Sequence, residues 1–230
     1  MPAREGNTIP PMESTSTSQP GSARDYYDRL SRAYDLLADS SERRARDRGL
    51  ELLAPQDGET VLEVGFGTGH ALLELSRAVG PGGQVHGVYI STGMLAVTRG
   101  LLQREAAAAP IRLTLGDGRA LPYAAGCFEA VFLSFTLELF SPAEIPTVLA
   151  EARRALRPDG RLGVVSLALT DPPKPMVSLY QWLHRHFPHF VDCQPIDVTG
   201  CLQASSFRIE GTISMEIWGL PVAAVVARPE

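Results

Sequence analysis

The most chemically specific segment of this chain is Val61-Leu62-Glu63-Val64-Gly65-Phe66-Gly67-Thr68-Gly69-His70. An apolar run passes straight into glycines at 65, 67 and 69, and helical periodicity begins at once. Glycine serves where the backbone turns tightly and meets a ligand with no Cβ in the way. In open α/β sheets, ligands sit at the carboxyl ends of strands. Spacing then separates the ligand classes. A dinucleotide fingerprint reads GxGxxG, and a phosphate loop reads GxxxxGK followed by Ser or Thr. Here the pattern is GxGxG, with Glu63 two residues ahead and no lysine behind. A turn that serves only packing is the plainer alternative, but glycine-rich strand-to-helix turns usually carry a ligand.

Two further segments hold reactive side chains. Gly116-Asp117-Gly118-Arg119-Ala120-Leu121-Pro122-Tyr123 places a carboxylate between two glycines after another apolar run. The stretch Tyr180 to Asp192 gathers three histidines and four aromatics. There His184 or His189 could act as a base, with Asp192 orienting it. The competing account is a helix end whose histidines are solvated or cap carbonyls. Metal binding by His184, His186 and His189 is disfavoured. Positions 184 and 186 point to different sides of a helix, and Pro188 interrupts the rest.

The elements that position these residues follow from periodicity. Residues 1–22 are rich in Ser, Thr, Pro and Gly and read as a disordered tail. Tyr26, Leu30, Ala33, Tyr34 and Leu37 recur at helical spacing, and a second helical stretch runs from about Glu42 to Leu53. Within it Arg43, Arg44, Arg46 and Arg48 lie beside Glu42 and Asp47 and read as a solvated face. Short apolar runs follow at Thr60–Val64, Gln84–Ile90, Ile111–Leu115, Ala130–Ser134 and Arg161–Leu167. Helical patterns at Ala71–Val79, Met94–Leu102 and Ala143–Leu156 separate them. Another helix is expected at Met176–His186. Two last strands fall near Phe207–Met215 and Pro221–Ala227, with a turn at Gly219. Alternation at this pace predicts an α/β fold, a mostly parallel seven-stranded sheet between helical layers with an antiparallel C-terminal edge hairpin.

Taken in order, these motifs resemble the class I S-adenosylmethionine-dependent methyltransferases, a Rossmann-like family, over about Val61 to Leu167. Cys127-Phe128-Glu129-Ala130-Val131 entering the fourth strand and Leu156-Arg157-Pro158-Asp159-Gly160-Arg161-Leu162 entering the fifth add to the likeness; Asp159 stands where a glycine is common. Within the family, the nearest resemblance is to the menaquinone/ubiquinone-biosynthesis C-methyltransferase group. It extends to Tyr27-Asp28-Arg29-Leu30-Ser31-Arg32-Ala33-Tyr34-Asp35. The resemblance implies one domain over 23–230, a helical lid over 23–55 and acceptor-side helices over 175–205. It implies cofactor contacts at Tyr27, Tyr34, Glu63, Gly65, Phe66, Gly67, Gly69, Tyr89, Ile90, Met94, Gly116, Asp117, Gly118, Ser134 and Phe135. Asp117 would accept from the adenine amino group, and Glu138 joins Ser134 and Phe135 as a substrate-side candidate.

One position departs from the family. The second strand normally ends in Asp or Glu, which holds the ribose hydroxyls; here the residue is Tyr89, and no carboxylate lies between Glu74 and Glu105. A hydrogen bond to a charged group is worth about 1.5–3 kcal/mol, so its loss would weaken binding roughly ten- to a hundredfold. Tyr89 could contact one ribose oxygen, stack in a shifted pose, or mark a repurposed site.

Composition narrows the partners. With 230 residues, 44% hydrophobic and 20% charged, the chain can bury one substantial core. A net charge of −5 disfavours a nucleic-acid partner. No apolar run reaches the roughly 20 residues of a membrane span. Three scattered cysteines and the lack of an N-terminal apolar signal point to a reducing, cytoplasmic setting. The antiparallel edge offers a surface for a homodimer. The expected activity is methyl transfer from S-adenosylmethionine to carbon or oxygen of a small aromatic or prenylated acceptor, leaving S-adenosylhomocysteine. The alternative is a domain that binds these molecules for non-methylating chemistry or an accessory role. Nicotinamide chemistry is disfavoured by the spacing, arsenic methylation by the unpaired cysteines.

Overall fold

The computed structural model describes residues 42–169 and 194–230. Outside them lie the tail expected over 1–22, the candidates Tyr27 and Tyr34, the helix expected at Met176–His186, and His184, His189 and Asp192.

Helix α1 spans residues 42–53. There follow β1 (Thr60–Val64), α2 (His70–Val79), β2 (Gln84–Tyr89), α3 (Thr92–Arg104), β3 (Ile111–Leu115) and β4 (Phe128–Ser134). A 3-10 turn at Leu137–Leu139 leads to α4 (Ile145–Ala155) and β5 (Leu156–Leu167). The chain closes with α5 (Val198–Ala204), β6 (Phe207–Ile217) and β7 (Leu220–Pro229). The seven strands lie in the order β3-β2-β1-β4-β5-β7-β6. All neighbours from β3 to β5 are parallel, whereas β7 runs antiparallel to both β5 and β6.

Both faces of the sheet are covered, which is why its central strands are apolar runs rather than alternations. One core joins Leu53 of α1, Leu72 and Leu75 of α2 and Leu95 of α3 to Val61, Phe132 and Val165. The opposite core joins Leu149 of α4 and Leu202 of α5 to Leu62, Val131 and Val164. In α2 the buried Ala71, Leu72, Leu75, Ser76 and Val79 recur at three- and four-residue steps and form the inward stripe. β6 is the outermost strand and shows the half-covered alternation expected of an edge.

Departures from the sequence expectation include two elements and one side chain. β5 starts at Leu156, directly after α4, rather than at Arg161. Leu156 pairs with Phe128 and Arg161 with Ala130, so Arg157-Pro158-Asp159-Gly160 bulges out between them. The helical pattern of α4 begins two residues later than expected, at Ile145 with a proline in the first turn. Arg46 also leaves the solvated face: it is half-buried, while Arg43 pairs with Asp47 and Arg48 with Glu51 at the surface. Among the described residues, no helix is long and apolar enough to cross a membrane.

Candidate active site

β1 lies between β2 and β4, so strand order reverses at its carboxyl end. A crevice for ligands is expected there, and the glycine loop occupies that point. Gly65 is hydrogen-bonded from its N–H to the Val88 carbonyl at 2.8 Å and has φ 78°. A Cβ on Gly65 would collide with the Thr136 side chain. Gly67 is different: its φ is 48°, yet a Cβ built on it would meet no atom of the described residues within 4 Å. Packing therefore requires glycine at 65, while at 67 the loop presents bare backbone to open space. Two threonines brace this shape. Thr98 Oγ1 donates to the Gly67 carbonyl at 2.9 Å, and Thr136 Oγ1 lies 3.3 Å from the Gly65 carbonyl and 3.0 Å from that of Ser134, able to donate to either.

Below the loop, Glu63 shares a face with Val61 and is only 2% exposed. Its Oε2 has no hydrogen-bond partner among the described residues. Burial raises its carboxyl to about 8, against the opposing pull of Arg46 from α1. A second buried carboxylate, Glu138, lies on the 3-10 turn beyond β4 and is 1% exposed. Its Oε1 accepts from the Leu167 N–H at 3.2 Å, and its Oε2 has no hydrogen-bond partner among the described residues. Burial raises this group to about 7; bonds from backbone N–H groups, including that of Leu167, and from the Ser166 hydroxyl pull it down, and the Glu42 charge adds to the rise. A buried acceptor left without a donor costs about 1–3 kcal/mol, more when charged. Two such atoms at one sheet edge are what a site awaiting donors looks like.

The strand ends on either side complete the edge. Tyr89 ends β2, half-buried, with its ring 5.2 Å from that of Phe66 at 51°. Phe66 itself is 3% exposed and packs into the core. Ile90 beyond Tyr89 is 67% exposed, and Leu115, which pairs with Tyr89 across β2 and β3, is 51% exposed. Met94 lies in the first turn of α3, where its N–H reaches the Ser91 hydroxyl at 3.4 Å. Gly116 follows β3 and donates to the Tyr89 carbonyl at 3.0 Å. Asp117 and Gly118 form the next turn, closed by Ala120 N–H to the Asp117 carbonyl at 3.1 Å. The Asp117 carboxyl is held below its ordinary range by hydrogen bonds from the Arg119 side chain and then its backbone. Ser134 ends β4, and Phe135 has a φ of 48°, a strained value for a side chain of its size.

Every sequence-predicted site residue within the described region thus lies at the carboxyl edge of β1 to β4. Sequence reasoning missed Thr98, Thr136, Leu115 and Arg46. The two threonine braces join residues 31 or 71 apart in the chain, and no local pattern announces them. For Arg46, a single inward arginine on a charged helix leaves only a faint signal.

The family described as a methyltransferase domain matches residues 61–160. The nocamycin O-methyltransferase of Saccharothrix syringae is 35% identical over 156 residues, 68% of this chain and 52% of that protein. The ubiquinone/menaquinone biosynthesis C-methyltransferase of Paracoccus denitrificans is 36% identical over 154 residues, 66% of this chain and 58% of that protein. The chain spans a little over half the length of these two relatives. In fold, it is similar to the 1,6-didemethyltoxoflavin-N1-methyltransferase of Burkholderia thailandensis, solved with S-adenosylhomocysteine. The TM-score is 0.61 at 18% identity, over 91% of this chain and 92% of that one.

Proposed function

Since the chain belongs to the class I S-adenosylmethionine-dependent methyltransferase family, we propose that it methylates carbon or oxygen of a small aromatic or prenylated acceptor. The observation that carries this reading is the pairing of bare backbone at Gly67 with the orphaned Glu63 Oε2 below the same loop. S-Adenosylmethionine supplies an activated methyl group on a sulfonium, which needs only in-line displacement and leaves S-adenosylhomocysteine. Glu63 offers an acceptor for the ammonium end, the loop amides line the middle, and Asp117 with the Gly118 amide takes the adenine. Ile90 and Leu115 supply exposed apolar surface at the neighbouring strand ends.

The protein's own contribution is then to hold the acceptor in line and to take its proton. Glu138 Oε2 is placed for that proton: it is buried, unpartnered and one short turn beyond Ser134. The rival candidates are His184 and His189, oriented by Asp192. The net charge of −5 supports a small acceptor over a nucleic acid, and the β6 edge is the surface we assign to a homodimer. The scattered cysteines support a cytoplasmic setting. Tyr89 favours a second reading, a cofactor-binding domain that does not transfer methyl.

Methyl-labelled S-adenosylmethionine incubated with phenolic and quinol acceptors tests the proposal. Label should reach one acceptor class, with a rate that climbs as pH rises through about 7. Glu138→Gln should then lower that rate on the order of a hundredfold while S-adenosylhomocysteine still binds. Loss in His184→Ala or His189→Ala instead would give the proton to the histidines. Binding without transfer to any acceptor would favour the second reading.

A further inference from the structure

Asp117 stands half-buried on the turn after β3, and its carboxylate is heavily engaged. Oδ1 accepts from the Arg119 N–H at 2.9 Å and from Arg119 Nε at 3.1 Å. Oδ2 accepts from Arg119 Nη2 at 2.6 Å and shares Nε at 3.0 Å. A carboxylate has about four lone-pair directions. Three donors, the amide, Nη2 and an Nε shared between the two oxygens, meet these four directions, which leaves one for a further donor.

Arg119 is itself anchored. Its Nη1 donates to Glu144 Oε1, and Glu144 Oε2 accepts from the Ser141 N–H at 3.0 Å and its hydroxyl at 2.8 Å. Glu144 precedes α4 as its N-cap residue. A continuous chain of bonds therefore runs from the start of α4 through Glu144 and Arg119 to Asp117.

We propose that Arg119 is a positioning residue for the adenine end of the cofactor. It aims the Asp117 carboxylate so that a single acceptor direction remains, and that direction selects a purine bearing an exocyclic amino group. This rests on the cofactor reading above. Arg119 and Asp117 side chains are 43% and 29% exposed, and exposed pairs of this kind add little to folding stability. The effect of Arg119 belongs in ligand selection, where a fixed fork geometry counts.

The test is calorimetric titration of the full chain with S-adenosylhomocysteine and with its 6-oxo analogue, S-inosylhomocysteine, for wild type, Arg119→Ala and Arg119→Lys. Wild type should prefer the amino form by at least about tenfold. Arg119→Ala should weaken S-adenosylhomocysteine on the order of tenfold, leave the 6-oxo analogue nearly unchanged, and shift the melting temperature by less than about 2 °C. Arg119→Lys should recover part of the preference. Equal loss for both ligands would make Arg119 merely structural, and tighter binding in Arg119→Ala would make it a competitor for Asp117; either overturns the proposal. If wild type binds S-adenosylhomocysteine without preferring it, the Asp117 and Arg119 assignments fall while the cofactor reading stands. If wild type binds neither, both fall.

Discussion

The two ends of the central strands treat buried charge in opposite ways. At the amino end, Arg161 and Glu59 are 12% and 14% exposed and fully engaged. Arg161 donates to both Glu59 oxygens at 2.7 and 2.8 Å and to the carbonyls of Leu53 and Ala54 at 2.6 and 2.8 Å. Burial alone would raise the Glu59 carboxyl, but the Arg161 bonds, the Gln56 N–H and the arginine charges hold it below the ordinary range. At the carboxyl end, Glu63 and Glu138 are more deeply buried, and each keeps one oxygen without a donor among the described residues. The first arrangement spends charge on fastening α1 to β5; the second keeps acceptors in reserve for a ligand. A buried charge is thus informative through its unmet bonds, not through its burial.

Breaking the satisfied end should have the largest effect on folding. Arg161→Met removes one partner of a buried pair, and such changes destabilise by about 3–5 kcal/mol. Urea unfolding should show that loss, while S-adenosylhomocysteine affinity at the far edge stays near wild type.

At the open end, Glu63→Gln should change the pH dependence of stability. The Glu63 carboxyl titrates at about 8 in the folded chain and near 4.5 when unfolded, so the folded state binds the extra proton between those values. Its contribution is therefore present at low pH and lost as pH climbs from about 4.5 towards 8. Unfolding free energies at pH 5 and pH 8 should fall less steeply in the Gln variant, by roughly 3 kcal/mol across that span. Parallel slopes would mean that Glu63 is ionised in the ligand-free protein.

Gly67→Val separates ligand space from packing space. Among the described residues no atom lies within 4 Å of the added Cβ, so weakened binding reports the ligand rather than lost packing there. S-Adenosylhomocysteine affinity should drop at least about a hundredfold, near 3 kcal/mol; Gly67→Ala is the milder control for the strain of the 48° φ. Retained affinity would remove the ligand from this loop. The smallest change is expected at Tyr89. Tyr89→Asp restores the usual ribose acceptor and should tighten binding about tenfold, or 1.4 kcal/mol. An unchanged or weaker complex would show that the tyrosine, packed on Phe66, has its own role.

Much of this edge is legible in the sequence. β1 and β3 fall at the residues their apolar runs marked, because both are bounded by glycine, proline or charged residues that end strands. The glycine spacing and Asp117 pointed to the same crevice from two places in the chain. What was hidden depends on tertiary contact. Pro158-Asp159-Gly160 reads as a turn and is a bulge inside β5, since only the pairing of Leu156 with Phe128 makes it part of a strand. Glu63 was recognisable by motif, but its orphaned oxygen follows from packing by α1. The link from Arg119 to Glu144 spans 25 residues and leaves no periodic trace.

The most direct test of the account is calorimetric titration of the purified chain with S-adenosylmethionine and S-adenosylhomocysteine, with NAD as control. The account predicts micromolar binding of the first two and none of the third. No binding of either up to millimolar concentration would contradict it: the open carboxylates and the bare glycine loop would then not form a cofactor site.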